Sequence, residues 1–274
     1  MKAIVFTRYG SPGWLELMDV PRPEPRANEL LVRVHASSIN SWDWEYLNGT
    51  PFINRLMFGI FKPKRGKQRL GADIAGTVEA VGRDVTRFQP GNEVFGDLWD
   101  KWGGFAEFAC TDEIAVERKP GNLTFEEAAS VSQAGVLALQ ALRRAGQINP
   151  GDEVLINGAG GGVGTFAIQL AKLFSAEVTG VDAAHKLGTV RDAGADQVID
   201  YVRQNFTSTG SSYDLIVDCQ GTRPMSSIKP ALKAQLQSGY KTVNKKLAKW
   251  DVPSSRFPCS LDSVEKFVKD RRDC

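Results

Sequence analysis

Cysteine is scarce in this chain, and what there is lies scattered. Cys110, Cys219, Cys259 and Cys274 show no CxxC or other ligand spacing. That pattern argues against a disulfide framework and fits reduced thiols in the cytoplasm. Histidine is rarer still, with only His35 and His185, and an isolated histidine is more often structural than a metal ligand. An excess of charge of either sign is also missing: 34 basic and 32 acidic side chains leave a net +2. A nucleic-acid binder needs a clustered basic surface. The local exception, Lys62 to Arg69, reads as a solvated loop. No apolar run approaches the roughly 18 residues of a membrane span. The N-terminus enters the strand-like Ala3-Ile4-Val5-Phe6 without a signal-peptide pattern. These absences leave a small molecule as the expected partner, with neither nucleic acid nor membrane.

What is present suffices for two domains: 274 residues, 42% of them hydrophobic. Residues 1–125 read as short strands (Leu30 to Val34, Ile74 to Val81, Phe105 to Ala109) broken by Gly and Pro, a barrel-like β domain. The grammar changes at Thr124-Phe125-Glu126-Glu127, which has the form of a capping box ahead of an Ala/Leu-rich helix to about Ala145. From Glu153 strands and helices alternate: Val154 to Ile156, a helix from Val163 to Phe174, Glu177 to Val181, Gln197 to Ile199 and Asp214 to Val217. Units of this length predict a parallel sheet wound with helices over 126–233. Residues 234–274 turn polar and form a divergent tail, with a short helix expected at Leu261 to Lys269.

Asn157-Gly158-Ala159-Gly160-Gly161-Gly162-Val163-Gly164 joins a buried strand to a helix. Glycines there let the chain turn tightly, let phosphates approach the backbone, and let strand and helix pack closely. The helix start offers free N–H groups and partial positive charge to a pyrophosphate. Gly158, Gly160, Gly161, Gly162, Val163 and Gly164 are therefore candidate cofactor-binding residues. Asp182 ends the next strand, where a carboxylate can bond ribose hydroxyls and repel a 2′-phosphate. It tilts the choice toward NADH. Against it, His185, Lys186 and Arg191 could supply positive charge to NADPH, so NAD(P)H is the expected cofactor.

Four stretches then resemble the quinone oxidoreductase and zinc-independent alcohol-dehydrogenase-like branch of the medium-chain dehydrogenase/reductase superfamily. They are His35 to Asp43, Leu70 to Gly76, Gln89 to Gly96, and the glycine turn together with Gly194 to Tyr201. The resemblance implies an α/β protein with a GroES-like β-barrel domain and a Rossmann doubly wound parallel-sheet domain. It also implies a homodimer and adds Tyr201 to the cofactor residues.

Zinc members of the superfamily hold a catalytic metal with Cys, His and Cys. Asn40 and Ala72 stand where the first Cys and the His would be, so the resemblance implies metal-free chemistry. Hydride delivery to a quinone, enone, alkenal or related small carbonyl compound then needs hydrogen-bond donors at the developing oxyanion. Asn40 is the candidate donor, with loop capping as its alternative role. Tyr46 is a second donor or the proton source, with ordinary packing as its alternative. Asp43 reads as orienting its loop. Trp42, Trp44 and Phe52 to Phe61 would wall an apolar pocket or pack as core. After Lys233 the chain departs from the pattern and reads as C-terminally shortened. That keeps a catalytically impaired dinucleotide-binding protein as the alternative function.

Overall fold

The computed structural model describes residues 1–64, 66–99, 101–144, 148–233 and 242–244, the last three as backbone only. The chain divides into two compact units, one of residues 1–133 and one beginning at Ala134.

In the first unit, β1 (Lys2–Phe6) and β2 (Leu15–Asp19) form an antiparallel hairpin. Next come β3 (Glu29–Ala36), α1 (Ser41–Asn48), α2 (Phe52–Phe58), β4 (Asp73–Val81), β5 (Glu93–Asp97), β6 (Phe108–Asp112) and β7 (Val116–Arg118). The five later strands make an antiparallel sheet in the order β6-β3-β4-β5-β7. Alternation in β3 sends Leu30 and Val32 into a core with Ile74, Val78, Val94 and Val116. The strand expected at Phe105 to Ala109 forms three residues later as β6. Phe105 is engaged elsewhere: its N–H donates to the Leu70 carbonyl at 3.1 Å and its carbonyl accepts from Ile4 at 2.8 Å. The sequence did not separate α1 and α2 from the surrounding loops. On α2, Phe52, Ile53, Leu56 and Met57 stay exposed, whereas Trp42 packs edge-on against Trp99 at 4.3 Å.

Helix α3 (Phe125–Arg144) begins with the expected capping box. Thr124 N–H donates to Glu127 Oε2 at 2.9 Å, and Glu127 N–H donates to Thr124 Oγ1 at 3.2 Å. The division between the two compact units falls within this helix, after Gln133.

The second unit contains β8 (Glu153–Asn157), α4 (Gly162–Leu173), β9 (Glu177–Asp182), α5 (Leu187–Asp192), β10 (Gln197–Asp200), β11 (Leu215–Asp218), α6 (Met225–Ile228) and β12 (Thr242–Asn244). Its parallel sheet has the order β10-β9-β8-β11-β12. Val154 and Ile156 face one core with Ala167, Ile168 and Ala171 of α4. Leu155 faces the other, with Val181, Ile216 and Ile228. Burial on both faces explains why these strands read as unbroken apolar runs. Strand β12 pairs in parallel with β11, inside the stretch from 234 that composition set apart as tail. The helix expected at 261–269 lies outside the described residues.

Candidate active site

Counting from β8, the parallel order is 3-2-1-4-5, and the chain reverses direction across the sheet between β8 and β11. Open α/β sheets bind ligands outside the carboxyl ends of the strands at such a switch point. The glycine turn leaves β8 there. Gly158 sits at φ +86°, left-handed backbone that favours glycine. Gly158 and Ala159 N–H groups donate to the Val181 carbonyl at 2.9 and 3.1 Å, pinning the turn to β9. A Cβ on Gly164 would lie 2.2 Å from the Gly158 carbonyl oxygen, so helix and turn touch backbone to backbone. Gly161 caps α4 with extended geometry, and the first intrahelical bond runs from Thr165 N–H to the Gly161 carbonyl. The N–H groups of Gly162, Val163 and Gly164 precede it at the helix start, where the α-helical pattern offers no acceptor. Three donors at the positive end of a twelve-residue helix suit a pyrophosphate.

Asp182 is buried at the end of β9. Its Oδ2 accepts from Gly160 N–H and its Oδ1 from Ala183 N–H, both at 2.8 Å. Lys186 Nζ lies 4.0 Å from Oδ1. The carboxylate expected to read a ribose thus also braces the glycine turn. The close approach is mutual, since a Cβ on Gly160 would meet the Lys186 stem at 2.8 Å. Tyr201 follows β10 with an exposed ring, and its N–H donates to the Asp182 carbonyl at 3.3 Å.

Sequence reasoning missed Asp218. It ends β11 opposite Asn157, whose Nδ2 donates to Asp218 Oδ1 at 2.8 Å. The same oxygen accepts from Gln220 and Gly221 N–H, both at 3.1 Å. This buried pair ties together the two strand ends that flank the switch point. The available signal was that Asp218 terminates its strand as Asp182 terminates β9.

In the first unit a polar cluster gathers around the start of β4. Asp43 is buried, with Oδ2 accepting from Asn40 N–H and Oδ1 from Gly71 N–H, both at 2.8 Å. Burial raises its carboxyl, and those two bonds partly offset the rise. Asp43 therefore fastens the start of α1 to the Gly71 turn, an orienting role. The half-buried Asn40 points its Nδ2 inward, to Asp73 Oδ2 at 2.8 Å and to Ser38 Oγ at 3.3 Å. Ser38 Oγ donates to the same Asp73 oxygen at 2.7 Å. The amide expected to face an oxyanion is thus committed to a carboxylate of its own unit.

Asp73 is the residue passed over in the motif Leu70 to Gly76. It is fully buried, and its Oδ1 has no hydrogen-bond partner among the described residues. Asp97 stands directly opposite it on β5, receiving a 3.4 Å bond from Gln133 Nε2. Burial pushes the Asp73 carboxyl up to about 7, Ser38 and Asn40 pull it down, and Asp97 pushes it up again. An acid among the apolar residues of β4 was the overlooked signal.

Tyr46 lies apart from this cluster. It is buried among Phe6, Leu47, Leu70, Ala72 and Trp102, and its hydroxyl donates to the Lys67 carbonyl. Burial raises the phenol well above its ordinary range, so it gives up its proton reluctantly. Ala72 is fully buried, and among the described residues no three His, Cys, Asp or Glu side chains are grouped to hold a metal. Burial pushes the Cys110 thiol up to about 11, away from nucleophilic or ligating use.

Comparison with known proteins agrees with this anatomy. Residues 26–141 match the alcohol dehydrogenase GroES-like domain, and residues 162–235 match the zinc-binding dehydrogenase family. A chloroplast envelope quinone oxidoreductase homolog of Arabidopsis thaliana is 35% identical over 243 residues, covering 85% of this chain and 72% of the relative. The structure of the quinone oxidoreductase from Coxiella burnetii superposes with a TM-score of 0.81 at 29% identity, covering 99% of this chain and 88% of that one. The Escherichia coli quinone oxidoreductase complexed with NADPH gives 0.74 at 25%, covering 85% and 70%. The chain belongs to the medium-chain dehydrogenase/reductase superfamily of oxidoreductases, among its quinone oxidoreductase relatives.

Proposed function

We infer that the chain is a zinc-independent NAD(P)H-dependent oxidoreductase that passes hydride to a quinone, an enone or alkenal, or a related small carbonyl compound. The observation that carries this reading is the glycine turn at the switch point, with three helix-start N–H groups and a buried carboxylate at the next strand end. The relative's name and the neighbour crystallised with NADPH support the same cofactor and acceptor class.

Gly162, Val163 and Gly164 would hold the pyrophosphate, and Asp182 would read the adenosine ribose. Two of the sites open to that carboxylate are already taken by Gly160 and Ala183, and its remaining lone pairs can accept ribose hydroxyls. This favours NADH, while Lys186 beside it offers a 2′-phosphate a counter-charge. A nicotinamide held there would supply the hydride. The protein's own task is to stabilise the electron pair that moves onto the acceptor oxygen, and Asn40 would serve it by releasing an amide hydrogen from Asp73 or Ser38. Ala72 and Asn40, where zinc relatives carry His and Cys, support metal-free reduction.

Fluorescence titration with NADH and NADPH, followed by steady-state reduction of an ortho-quinone and an alkenal, tests the reading. Saturable binding with turnover is expected. Binding without turnover on either acceptor would leave a dinucleotide-binding protein in place of the enzyme, and absence of binding would defeat both.

A further inference from the structure

Helix α2 wears its apolar side outward. Phe52 and Leu56, and beside them Ile53 and Met57, stand one turn apart, and all four are exposed. The inward side carries Arg55, whose Nε and Nη2 donate to the Gly49 and Asn48 carbonyls at 3.2 and 3.4 Å. Its guanidinium lies over the Tyr9 ring at 5.1 Å. Phe58 packs beside Tyr46, with ring centroids 4.2 Å apart. A helix packed only for its own fold would put the aliphatic rows inside and the arginine outside.

The chain then makes a short closed loop. The Gly59 carbonyl accepts from the Tyr9 hydroxyl at 2.8 Å, and Lys64 N–H donates to the Phe58 carbonyl at 2.8 Å. A Cβ on Gly59 would lie 2.1 Å from the Lys62 carbonyl oxygen, so the loop is drawn tight. Between these ties Ile60 is exposed and Phe61 is 92% exposed, followed by exposed Lys62 and Lys64. Charge is sorted along the same stretch. From Tyr46 to Ala72 there is no Asp or Glu, while Arg55, Lys62, Lys64, Arg65, Lys67 and Arg69 are basic. The near-neutral charge of the whole chain, from which no membrane contact is expected, averages this segregation away. Neither Lys62 nor Lys64 forms an ion pair among the described residues.

We propose that α2 and the loop to Lys64 form an interfacial anchor that docks the first unit on a bilayer surface rich in anionic lipid. Exposed apolar side chains bordered by lysines have the composition of an element that lies in the head-group layer. The lysine stems can lie along the apolar layer while their ammonium groups reach lipid phosphates and carboxylates. Protein–protein interfaces are depleted in lysine, which sets a lipid surface ahead of a protein partner. No helix among the described residues is long and apolar enough to cross a membrane, and the contact proposed is with the surface of one leaflet. The proposal goes beyond the reductase reading and does not depend on it.

Flotation of the full chain tests it, with vesicles of phosphatidylcholine alone and of phosphatidylcholine with about 30% phosphatidylserine. Partition should be about tenfold or more higher on the anionic vesicles and should fall as salt is added. Lys62→Gln combined with Lys64→Gln should weaken it about 25-fold, at about fivefold per charge. Phe61→Ser should weaken it about tenfold, whereas Phe61→Trp should keep it. These positions are exposed, and melting curves check that the variants remain folded. Equal partition on the two vesicle types would overturn the proposal, as would absence of binding to either. Partition that survives both the lysine and the Phe61→Ser substitutions would overturn it too. Sedimentation without vesicles examines the other occupant: a dimer dissolved by Phe61→Ser would show a second copy on this face and defeat the lipid assignment. None of these readouts needs an acceptor to be turned over, so failure of the reductase reading is told apart from failure of the anchor.

Discussion

The two candidate regions, one in each compact unit, are built from different materials. The glycine turn is made of backbone: N–H groups at a helix start, a left-handed Gly158, and a contact between Gly158 and Gly164 that admits no side chain. The cluster around Asp73 is made of side chains, Asn40, Ser38, Asp43 and Asp97, whose partners are set by tertiary contact. A backbone site fixes its donors for as long as the fold stands, and pH does not touch it. A side-chain site with a buried acid gains or loses a charge with one proton. Substitutions in the two regions should therefore respond differently to pH.

The largest expected effect strikes the backbone half. Gly164→Val places a Cβ 2.2 Å from the Gly158 oxygen and 2.7 Å from Ala159 backbone atoms. Neither neighbour can rotate away as a side chain would. A loss of about 3 kcal/mol in the second unit is expected, together with more than a hundredfold weaker NADPH binding. Melting curves and fluorescence titration measure both. Retention of binding would mean that this contact does not shape the turn.

Next comes the acid. Its folded value near 7 lies above the ordinary 3.8, so the group contributes stability below about pH 4 and loses it as pH rises through 7. Three units correspond to about 4 kcal/mol at most. Asp73→Asn should therefore be the more stable protein at pH 8, by about 2–4 kcal/mol, with the margin vanishing below pH 4. Denaturant melts at the two pH values would show it, and equal margins at both would mean that Asp73 ionises normally. No such pH dependence is expected for substitutions in the glycine turn, which is what separates the two halves.

The same contrast explains what could be read from sequence. The glycine turn was legible because its requirements are local: a buried strand, a run of glycines, an amphipathic helix, an acid at the next strand end. The capping box at Thr124 was legible for the same reason. The side-chain half was only partly so. Asn40 and Asp43 stood out through the resemblance, but no spacing rule joins Asn40 to Asp73, because the antiparallel sheet brings them together across 33 positions. Asp218 was missed likewise, since its partner Asn157 is 61 positions away on a neighbouring parallel strand. Helices α1 and α2 escaped because their short, aromatic-rich sequences carry little helical periodicity, and packing decides them.

A smaller effect probes the seam between backbone and side chain at Asp182. Asp182→Ser removes the charge that would repel a 2′-phosphate but keeps a short acceptor near Gly160 and Ala183. The ratio of NADPH to NADH affinity should rise about tenfold, or roughly 1.4 kcal/mol. An unchanged ratio would reduce Asp182 to a brace for the turn.

The smallest effect concerns the buried tyrosine of the first unit. Tyr46 gives its hydroxyl proton to the Lys67 carbonyl inside an aromatic cluster, with Phe6 edge-on at 5.2 Å and Trp102 at 4.9 Å. Tyr46→Phe keeps the ring and its packing and deletes one hydrogen bond, leaving a carbonyl short of a partner. A cost of about 1 kcal/mol in stability follows, with kcat/KM for quinone reduction changed by no more than about twofold. A proton donor to substrate would behave in the opposite way, since losing a general acid typically slows turnover about a hundredfold or more with little change in melting. Measuring both on one variant therefore separates a packed tyrosine from a catalytic one. A large rate loss with intact stability would return Tyr46 to the site and require the first unit to open around it during turnover.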